Sequence, residues 1–262
     1  MYIDKNKSRW YTYKPNTTDY TRISRGMIEN FTRCPKCFYL QKRLGVKPGN
    51  IPFNLNIAVD TLLKKEFDYY RNLQEPHPIM KKYDLDLVPF NHKDFKTWRA
   101  DEEGNYYGYG YEHEPTKIEV CGQIDEIWVD KEGALYMVDY KSTSTDKDFK
   151  LTMDYHYNQA YKRQLEVYQY MFRKNGFKVS DTAFIIFANA DDKNDLFDNK
   201  LQFELSLVQF EGDTSWIEPT LFDIKKTLDS NELPKSSEDC DNCNYFTKRA
   251  KAEIRVKKDN SK

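Results

Sequence analysis

Residues 122–130 read GQIDEIWVD and residues 134–141 read ALYMVDYK. The intervening Lys131-Glu132-Gly133 has the composition of a turn between two apolar runs, which predicts a β-hairpin centred on residue 132. In that register Asp125 lies directly opposite Asp139. Opposed residues on one face of an antiparallel pair have Cβ atoms about 4.5–5.5 Å apart, so the hairpin brings two carboxylates together.

Two carboxylates at this separation repel each other unless a cation lies between them. A divalent metal ion would remove the repulsion and bind both acids. Lys141 lies two residues beyond Asp139, and the period of two in a strand points both side chains to the same face. Asp125, Asp139 and Lys141 are therefore predicted to form a hydrolytic site at the end of a strand. Glu126 is predicted to point to the opposite face.

The rest of the chain predicts an α/β fold with a mixed sheet. Residues 182–189, TAFIIFAN, form a continuous apolar run typical of a strand that is buried on both faces. A polar, poorly periodic region over 76–115 is interpreted as an insertion in a single domain over 1–262. We expect helices over 55–72, 158–174 and 215–229, and further strands over 116–130, broken near Gly122, and over 201–210.

Charge is distributed unevenly although the net charge is only −1. Residues 1–50 contain 11 Lys and Arg against 3 Asp and Glu, and a basic tail over 247–262 contains 7 against 2. Basic margins around acidic chemistry suit an enzyme that cuts a polyanion. The aromatic and basic residues from Arg9 to Lys14 could stack on single-stranded bases, or could be core residues or a loose arm. No run approaches the roughly 20 apolar residues of a membrane helix, and we expect a cytoplasmic location without membrane association.

Three motifs resemble the PD-(D/E)XK nuclease superfamily, and most closely its RecB-like and CRISPR-associated exonuclease branch. They are Gly122-x-x-Asp125, Asp139-Tyr140-Lys141 and the helical Gln164-x-x-x-Tyr168. The resemblance covers roughly 24–72 and 116–246. It implies a restriction-endonuclease-like mixed central sheet that is flanked by helices.

The resemblance also implies roles for these residues. Asp125, Asp139 and the carbonyl of Tyr140 would bind Mg²⁺ or Mn²⁺, hard cations that prefer oxygen ligands. Members of this branch usually have a metal-binding His on the first core helix, and here the aligned position is Asp60, which could ligate Mg²⁺ as well. Lys141 would position the attacking water or stabilise the developing negative charge. Gln164 and Tyr168 lie one helical turn apart and could hold a nucleotide phosphate or base, or Tyr168 could pack in the core.

Two C-x2-C pairs, Cys34/Cys37 and Cys240/Cys243, have a spacing that lets both thiolates of a pair bind one ion. We expect them to join residues 24–45 and 234–246 through a structural Zn²⁺ or an iron–sulfur cluster. The relatives often have a [4Fe-4S] cluster, bound by one N-terminal and three C-terminal cysteines, whereas the distribution here is two and two. Both cofactors therefore stay open. Cys121 is expected to be an ordinary buried thiol.

The predicted function is metal-dependent hydrolysis of DNA, as an exonuclease or in single-strand processing. Repair, recombination and defence against mobile elements are the settings that the resemblance implies, with single strands or duplex ends as substrate and a helicase or recombination partner. The alternative is a non-catalytic nucleic-acid-binding module that retains the nuclease fold within a larger complex. The intact Asp125, Asp139 and Lys141 favour the enzyme.

Overall fold

A computed structural model describes residues 12–49, 53–99, 108–146, 156–193 and 195–259, with the side chains at 156–158 and 258–259 left aside. The described residues form both helices and strands, as expected for an α/β protein. In chain order the elements are β1 (Thr21–Ser24), α1 (Arg25–Arg33), α2 (Pro35–Leu44), α3 (Asn54–Leu73), α4 (Pro78–Lys82), β2 (Val88–Pro89), α5 (Phe95–Trp98), β3 (Tyr109–His113), a 3₁₀ turn (Glu114–Thr116), β4 (Ile118–Gly122), β5 (Glu126–Val129), β6 (Leu135–Thr143), α6 (His156–Lys174), β7 (Thr182–Ala190), β8 (Phe203–Glu211), α7 (Ile217–Asp229) and α8 (Asp241–Asp259).

The central sheet has five strands in the order β2-β5-β6-β7-β8. The β6 and β7 strands pair in parallel, whereas the other neighbouring strands pair antiparallel. A parallel pair needs a crossover connection, and α6 lies within it. β7 is an interior strand with buried residues on both faces, as its apolar sequence predicts. A second sheet has the order β1-β4-β3. The predicted mixed sheet flanked by helices is confirmed.

The β5–β6 hairpin has the register that the sequence predicts, because Glu126 pairs with Val138 and the pairing is centred on residue 132. Asp130 begins the turn, and its Oδ1 accepts hydrogen bonds from the N–H groups of Glu132 (2.9 Å) and Ala134 (2.8 Å). Gly133 has a φ of 79°, a left-handed conformation that glycine adopts without steric cost. The turn chemistry therefore holds the register in which the two acids face each other.

The chain contains two compact units. One comprises Asn50–Tyr111 and Val120–Ile217, and includes the five-stranded sheet. One face of that sheet packs against α3, where Leu63 and Phe67 contact a core that includes Trp128, Val138 and Tyr140. Burying such large apolar side chains contributes about 1.5–3 kcal/mol each. This packing fixes α3 against the strand that bears Asp139.

The other unit comprises Met1–Gly49, Glu112–Glu119 and Glu218–Lys262. Here Ser24 is the N-cap of α1, and its hydroxyl accepts a hydrogen bond from the Met27 N–H (3.3 Å). Arg22 and Glu119 form a buried ion pair at 2.6 Å. A single nuclease domain over 1–262, with 24–45 and 234–246 joined by the cysteines, stays a prediction.

Two segments of low sequence periodicity contain defined helices or strands. The region over 76–115 contains α4, β2, α5 and β3. Its Tyr109 ring stacks on Phe172 of α6, and its Trp98 ring packs edge-on against the same phenylalanine. Most of the predicted basic tail over 247–262 belongs to α8, which is rich in helix-forming Ala, Lys and Arg and includes the pair Arg249–Glu253 at 2.8 Å. Within the described residues, no helix is both long and apolar enough to cross a membrane.

Candidate active site

The hairpin brings Asp125 and Asp139 together. Asp125 lies immediately before β5, and its Oδ2 accepts a hydrogen bond from the backbone N–H of Tyr140 (3.2 Å). The Asp139 side chain is fully buried, whereas 17% of the Asp125 side chain is exposed. Each carboxyl group also affects the pKa of the other, as expected for close neighbours. The contact is the one that the opposed register predicts.

The pKa values of the two acids shift in opposite directions. Burial raises the pKa of Asp139 to about 7, and the Asp125 carboxylate adds to this shift while Lys141 opposes it. Burial also acts to raise the pKa of Asp125, but the ammonium groups of Lys64 and Lys141 and the hydrogen bonds from Asp139 and Tyr140 lower it to about 2. Shifts in opposite directions are expected for adjacent buried acids, because the charge on one disfavours the charge on the other.

Lys141 and Tyr140 point to opposite faces of β6. The Lys141 Nζ forms an ion pair with Asp139 Oδ2, and it lies 4.7 Å from the centroid of the Tyr161 ring. The Tyr140 hydroxyl donates to Glu126 Oε2 (3.0 Å) on the other face. The Tyr140 carbonyl, however, is 3.4 Å from Lys141 Nζ, on the side of the acids. The carbonyl oxygen of Tyr140 therefore lies near Lys141, whereas its side chain lies on the face of Glu126.

Asp60 lies on α3 and reaches Asp125 through a lysine. Lys64 Nζ is 2.8 Å from Asp60 Oδ2 and 3.1 Å from Asp125 Oδ1. Lys64 was not predicted as a site residue. One turn separates it from Asp60, which is a helical neighbour relation visible in the sequence. Its second partner is 61 positions away and could be found only from the fold.

Gln164 and Tyr168 lie on one face of α6, as the motif predicts, and both are buried. Gln164 Nε2 donates to Asp139 Oδ1 (2.6 Å) and to the Tyr168 hydroxyl (3.3 Å). The Tyr168 hydroxyl donates to the carbonyl of Gln123 (2.6 Å). These contacts hold the two acid-bearing segments rather than present an open surface. Their contact with a nucleotide stays a prediction.

Glu126 holds a buried ion network on the opposite face of the hairpin. Its fully buried carboxylate accepts hydrogen bonds from Arg71 Nη2 (2.6 and 2.8 Å) and Arg99 Nη2 (2.8 Å). Arg99 Nε also donates to the backbone carbonyl of Asp125 (2.8 Å). The network therefore fixes the backbone of a site acid. Two features of the sequence could have indicated this network: Arg71 on the apolar face of a helix and Glu126 within an apolar strand.

The donor set suits a hard divalent cation in chemical type. It consists of the carboxylates of Asp60, Asp125 and Asp139 together with the Tyr140 carbonyl, all oxygen ligands of the kind that Mg²⁺ and Mn²⁺ prefer. The charges at the site support the same conclusion. Ammonium groups of Lys64 and Lys141 contact all three acids, and so neutralise them as a divalent cation would.

The four predicted cysteines form a second candidate metal site. The sulfur atoms of Cys34, Cys37, Cys240 and Cys243 lie within 4.8 Å of one another. Cys34 separates α1 from α2, and Pro35 begins α2, a favoured first position that places Cys37 in the first turn. Burial opposes ionisation of Cys34, yet hydrogen bonds from the backbone of Cys37 and Ser237 lower its pKa to about 7. A thiolate is the form that binds a metal.

The predicted aromatic contact near the N-terminus has a different outcome. Tyr13 is only 4% exposed, and its hydroxyl donates to Asp229 Oδ1 (2.6 Å). Tyr13 is therefore a core residue. Arg9, Trp10 and Tyr11 lie outside the described residues. Cys121 is buried, as expected.

Comparison with known proteins assigns the class that the fold and the paired acids define. The model of the PD-(D/E)XK nuclease superfamily matches residues 56–247, a segment that includes Asp60, the hairpin acids and the Gln164/Tyr168 helix. The chain belongs to the PD-(D/E)XK nuclease superfamily. Membership implies metal-dependent hydrolysis of phosphodiester bonds in nucleic acids. Among curated proteins, none matches the chain.

Proposed function

We propose that the protein is a divalent-metal-dependent deoxyribonuclease that acts as an exonuclease or processes single strands. The observation that supports this most is the hairpin register, which brings Asp125 opposite Asp139, with Lys141 and Gln164 in contact with the second acid. Asp60 and Lys141 also line an open cavity, which gives a phosphodiester access to these two residues of the site. A structural ion pair in a closed core would lack this access.

Asp125, Asp139 and the Tyr140 carbonyl are the proposed metal ligands, with Asp60 completing the set from α3. These oxygens would hold a divalent cation, which when bound would supply polarisation of the scissile phosphate and a lowered pKa for the attacking water. Lys141 is held by Asp139, and its ammonium donates hydrogen bonds to that water or to a phosphate oxygen that gains charge. Gln164 and Tyr168 position the acids by holding Asp139 and the carbonyl of Gln123.

We further propose that the four cysteines bind Zn²⁺. Tetrahedral ligation with Zn–S bonds of about 2.3 Å puts sulfur atoms about 3.8 Å apart. The sulfur separations are 3.5 Å for Cys37–Cys240, 3.5 Å for Cys37–Cys243 and 3.9 Å for Cys34–Cys243. An iron–sulfur cluster places several iron and sulfide atoms between the thiolates, and so needs a wider cage. Visible absorption and elemental analysis of the purified protein distinguish the two cofactors.

The resemblance supports a cytoplasmic role in repair, recombination or defence against mobile elements, with a helicase or recombination partner. These settings are part of the proposal. A pull-down from the source cells with Asp139→Asn protein, followed by mass spectrometry, tests the partner. Recovery of neither class of partner above an untagged control would contradict it.

The activity is tested with end-labelled and internally labelled single-stranded DNA, duplex DNA and RNA in Mg²⁺ or Mn²⁺. We expect metal-dependent loss of DNA from an end or from single strands, and none with Asp139→Asn. Equal loss in wild type and variant would identify a contaminant. Binding without cleavage in either protein would identify the non-catalytic module instead.

A further inference from the structure

A cavity of about 480 Å³ adjoins Asp60 in the unit that contains the five-stranded sheet. Asp60 and Lys141 form its polar wall, and both belong to the proposed active site. Phe53, Ile57 and Tyr161 are among the apolar and aromatic groups of the remaining wall. A volume in this range is typical of small-molecule sites, which combine apolar walls with a few polar groups.

Two large apolar side chains at this cavity are exposed although folding gains nothing from their exposure. Phe53 is 72% exposed and Ile57 is 55% exposed. Phe53 is also the N-cap of α3, where it makes no side-chain capping hydrogen bond. Ser, Thr, Asp and Asn are strongly preferred at an N-cap, so phenylalanine there costs helix stability. An aromatic ring at this position is better explained by a ligand than by the helix.

The remaining contacts favour stacking over reading of a base edge. The Tyr161 ring forms one wall, next to the Lys141 ammonium at 4.7 Å. The Asn56 amide Nδ2 donates to the Ser142 carbonyl (3.3 Å), which uses a polar group that could otherwise read a base edge. Aromatic rings accept every base because every base has a π face.

We infer that this cavity, the base subsite, binds one unpaired nucleobase of the strand whose phosphate lies at Asp60 and Lys141. The inference rests on the proposed nuclease function and specifies its substrate. A base that enters a side pocket leaves its stack and its pairing partner. The substrate is therefore single-stranded or frayed at the cleavage point, and base identity matters little.

The test measures binding of a labelled single-stranded oligonucleotide by fluorescence anisotropy in Mg²⁺, with Asp139→Asn as background so that the strand is not consumed. An abasic residue is placed at each position in turn. Stacking is worth about 1–3 kcal/mol per base, so we expect one position at which base removal weakens binding about tenfold. Phe53→Ala should abolish that difference.

Two variants control for nonspecific effects. Phe53→Trp retains a π face and should retain the difference. Phe197→Ala removes an equally exposed ring, also 72%, that does not line the cavity, and should leave the difference unchanged. A flat abasic scan, or equal effects of the two alanine variants, would overturn the base subsite. Wild-type cleavage is measured in parallel, so absence of both binding and cleavage would instead overturn the nuclease proposal together with the subsite.

Discussion

Lys64 on α3 forms an ion pair with Asp125 at the start of β5, with 3.1 Å between Nζ and Oδ1. The same ammonium contacts Asp60 at 2.8 Å. Burial opposes its charge, but the carboxylates of Asp125 and Asp60 raise the pKa of Lys64. The lysine therefore stays charged between two proposed metal ligands, where a divalent cation must compete with it.

Replacing this ammonium should make the protein depend more strongly on metal. In Lys64→Met the two carboxylates lose a shared cation, and we expect the metal-free protein to lose about 1–2 kcal/mol of stability, since the pair is partly exposed. Added Mg²⁺ should raise the melting temperature more in the variant than in wild type. Lys65→Met removes an exposed lysine of the same helix and should change neither quantity. An identical Mg²⁺ response in all three proteins would contradict the prediction.

Removing a proposed ligand should stop the chemistry and leave the fold. Asp139→Asn keeps the shape of the side chain and its hydrogen bond to Gln164, but loses the charge that binds a cation. We expect cleavage to fall on the order of 10³-fold or more, with unchanged circular dichroism. Activity is measured on the labelled oligonucleotides. Substantial residual cleavage at saturating Mn²⁺ would remove Asp139 from the proposed ligand set.

The raised pKa of Asp139 predicts a pH dependence. An acid with a folded-state pKa above its unfolded value of about 3.9 favours folding below that value, and this contribution is lost as pH rises towards the folded pKa of about 7. Asp139→Asn cannot ionise. Its melting temperature relative to wild type, both without metal, should therefore increase from pH 4 to pH 7. A constant difference would show that Asp139 has no raised pKa.

Breaking the Glu126 network should strongly reduce the stability of the fold. Glu126→Gln leaves the buried Arg71 and Arg99 with only the partly exposed carboxylate of Asp68, and the expected loss is about 3–5 kcal/mol of unfolding free energy, measured in urea. Asp68 is a matched control, because Oδ1 also contacts both arginines (3.1 and 2.7 Å) but its side chain is 43% exposed. Asp68→Asn should cost less than about 1 kcal/mol. Similar losses of unfolding free energy in Glu126→Gln and Asp68→Asn would show that the burial of the carboxylate does not determine its contribution to stability.

The cysteine site should lose its metal independently of the acids. Cys34→Ser removes one of four thiolates, and we expect zinc well below one per chain and a lower melting temperature. Cys121→Ala changes a buried cysteine outside the cluster and should retain full zinc. Metal content is measured by elemental analysis. Full zinc in Cys34→Ser would exclude it as a ligand.

The hairpin and its acids could be predicted from the sequence because their information is local. A three-residue turn and a period of two determine which face each residue takes, so Asp125, Asp139, Lys141 and the opposite orientation of Glu126 follow. The continuous apolar run of β7 is informative for the same reason. The register of the hairpin is enough to predict which of its side chains lie close together.

Other parts of the site depend on contacts between distant segments. Lys64 lies in the helical sequence KKEFD, where nothing distinguishes it from its neighbour Lys65 until α3 is placed beside Asp125. Arg99 lies in a region that has little periodicity, and its partner Glu126 becomes evident only in the packed core. The helical spacing of Gln164 and Tyr168 was predictable, but their burial against Asp139 and Gln123 was not.

Asp125 and Asp139 are equally far along the chain from residue 132, so the lengths of the two strands determine whether the carboxyl groups face each other. Strand residues alternate faces, so one residue inserted in either strand between the turn and its acid would rotate that carboxylate to the side of Arg71 and Arg99. Lengthening both strands equally would preserve the pairing. The hairpin should therefore tolerate insertions only when both strands are lengthened equally. A residue inserted in one strand alone would separate Asp125 from Asp139 and destroy the proposed metal site.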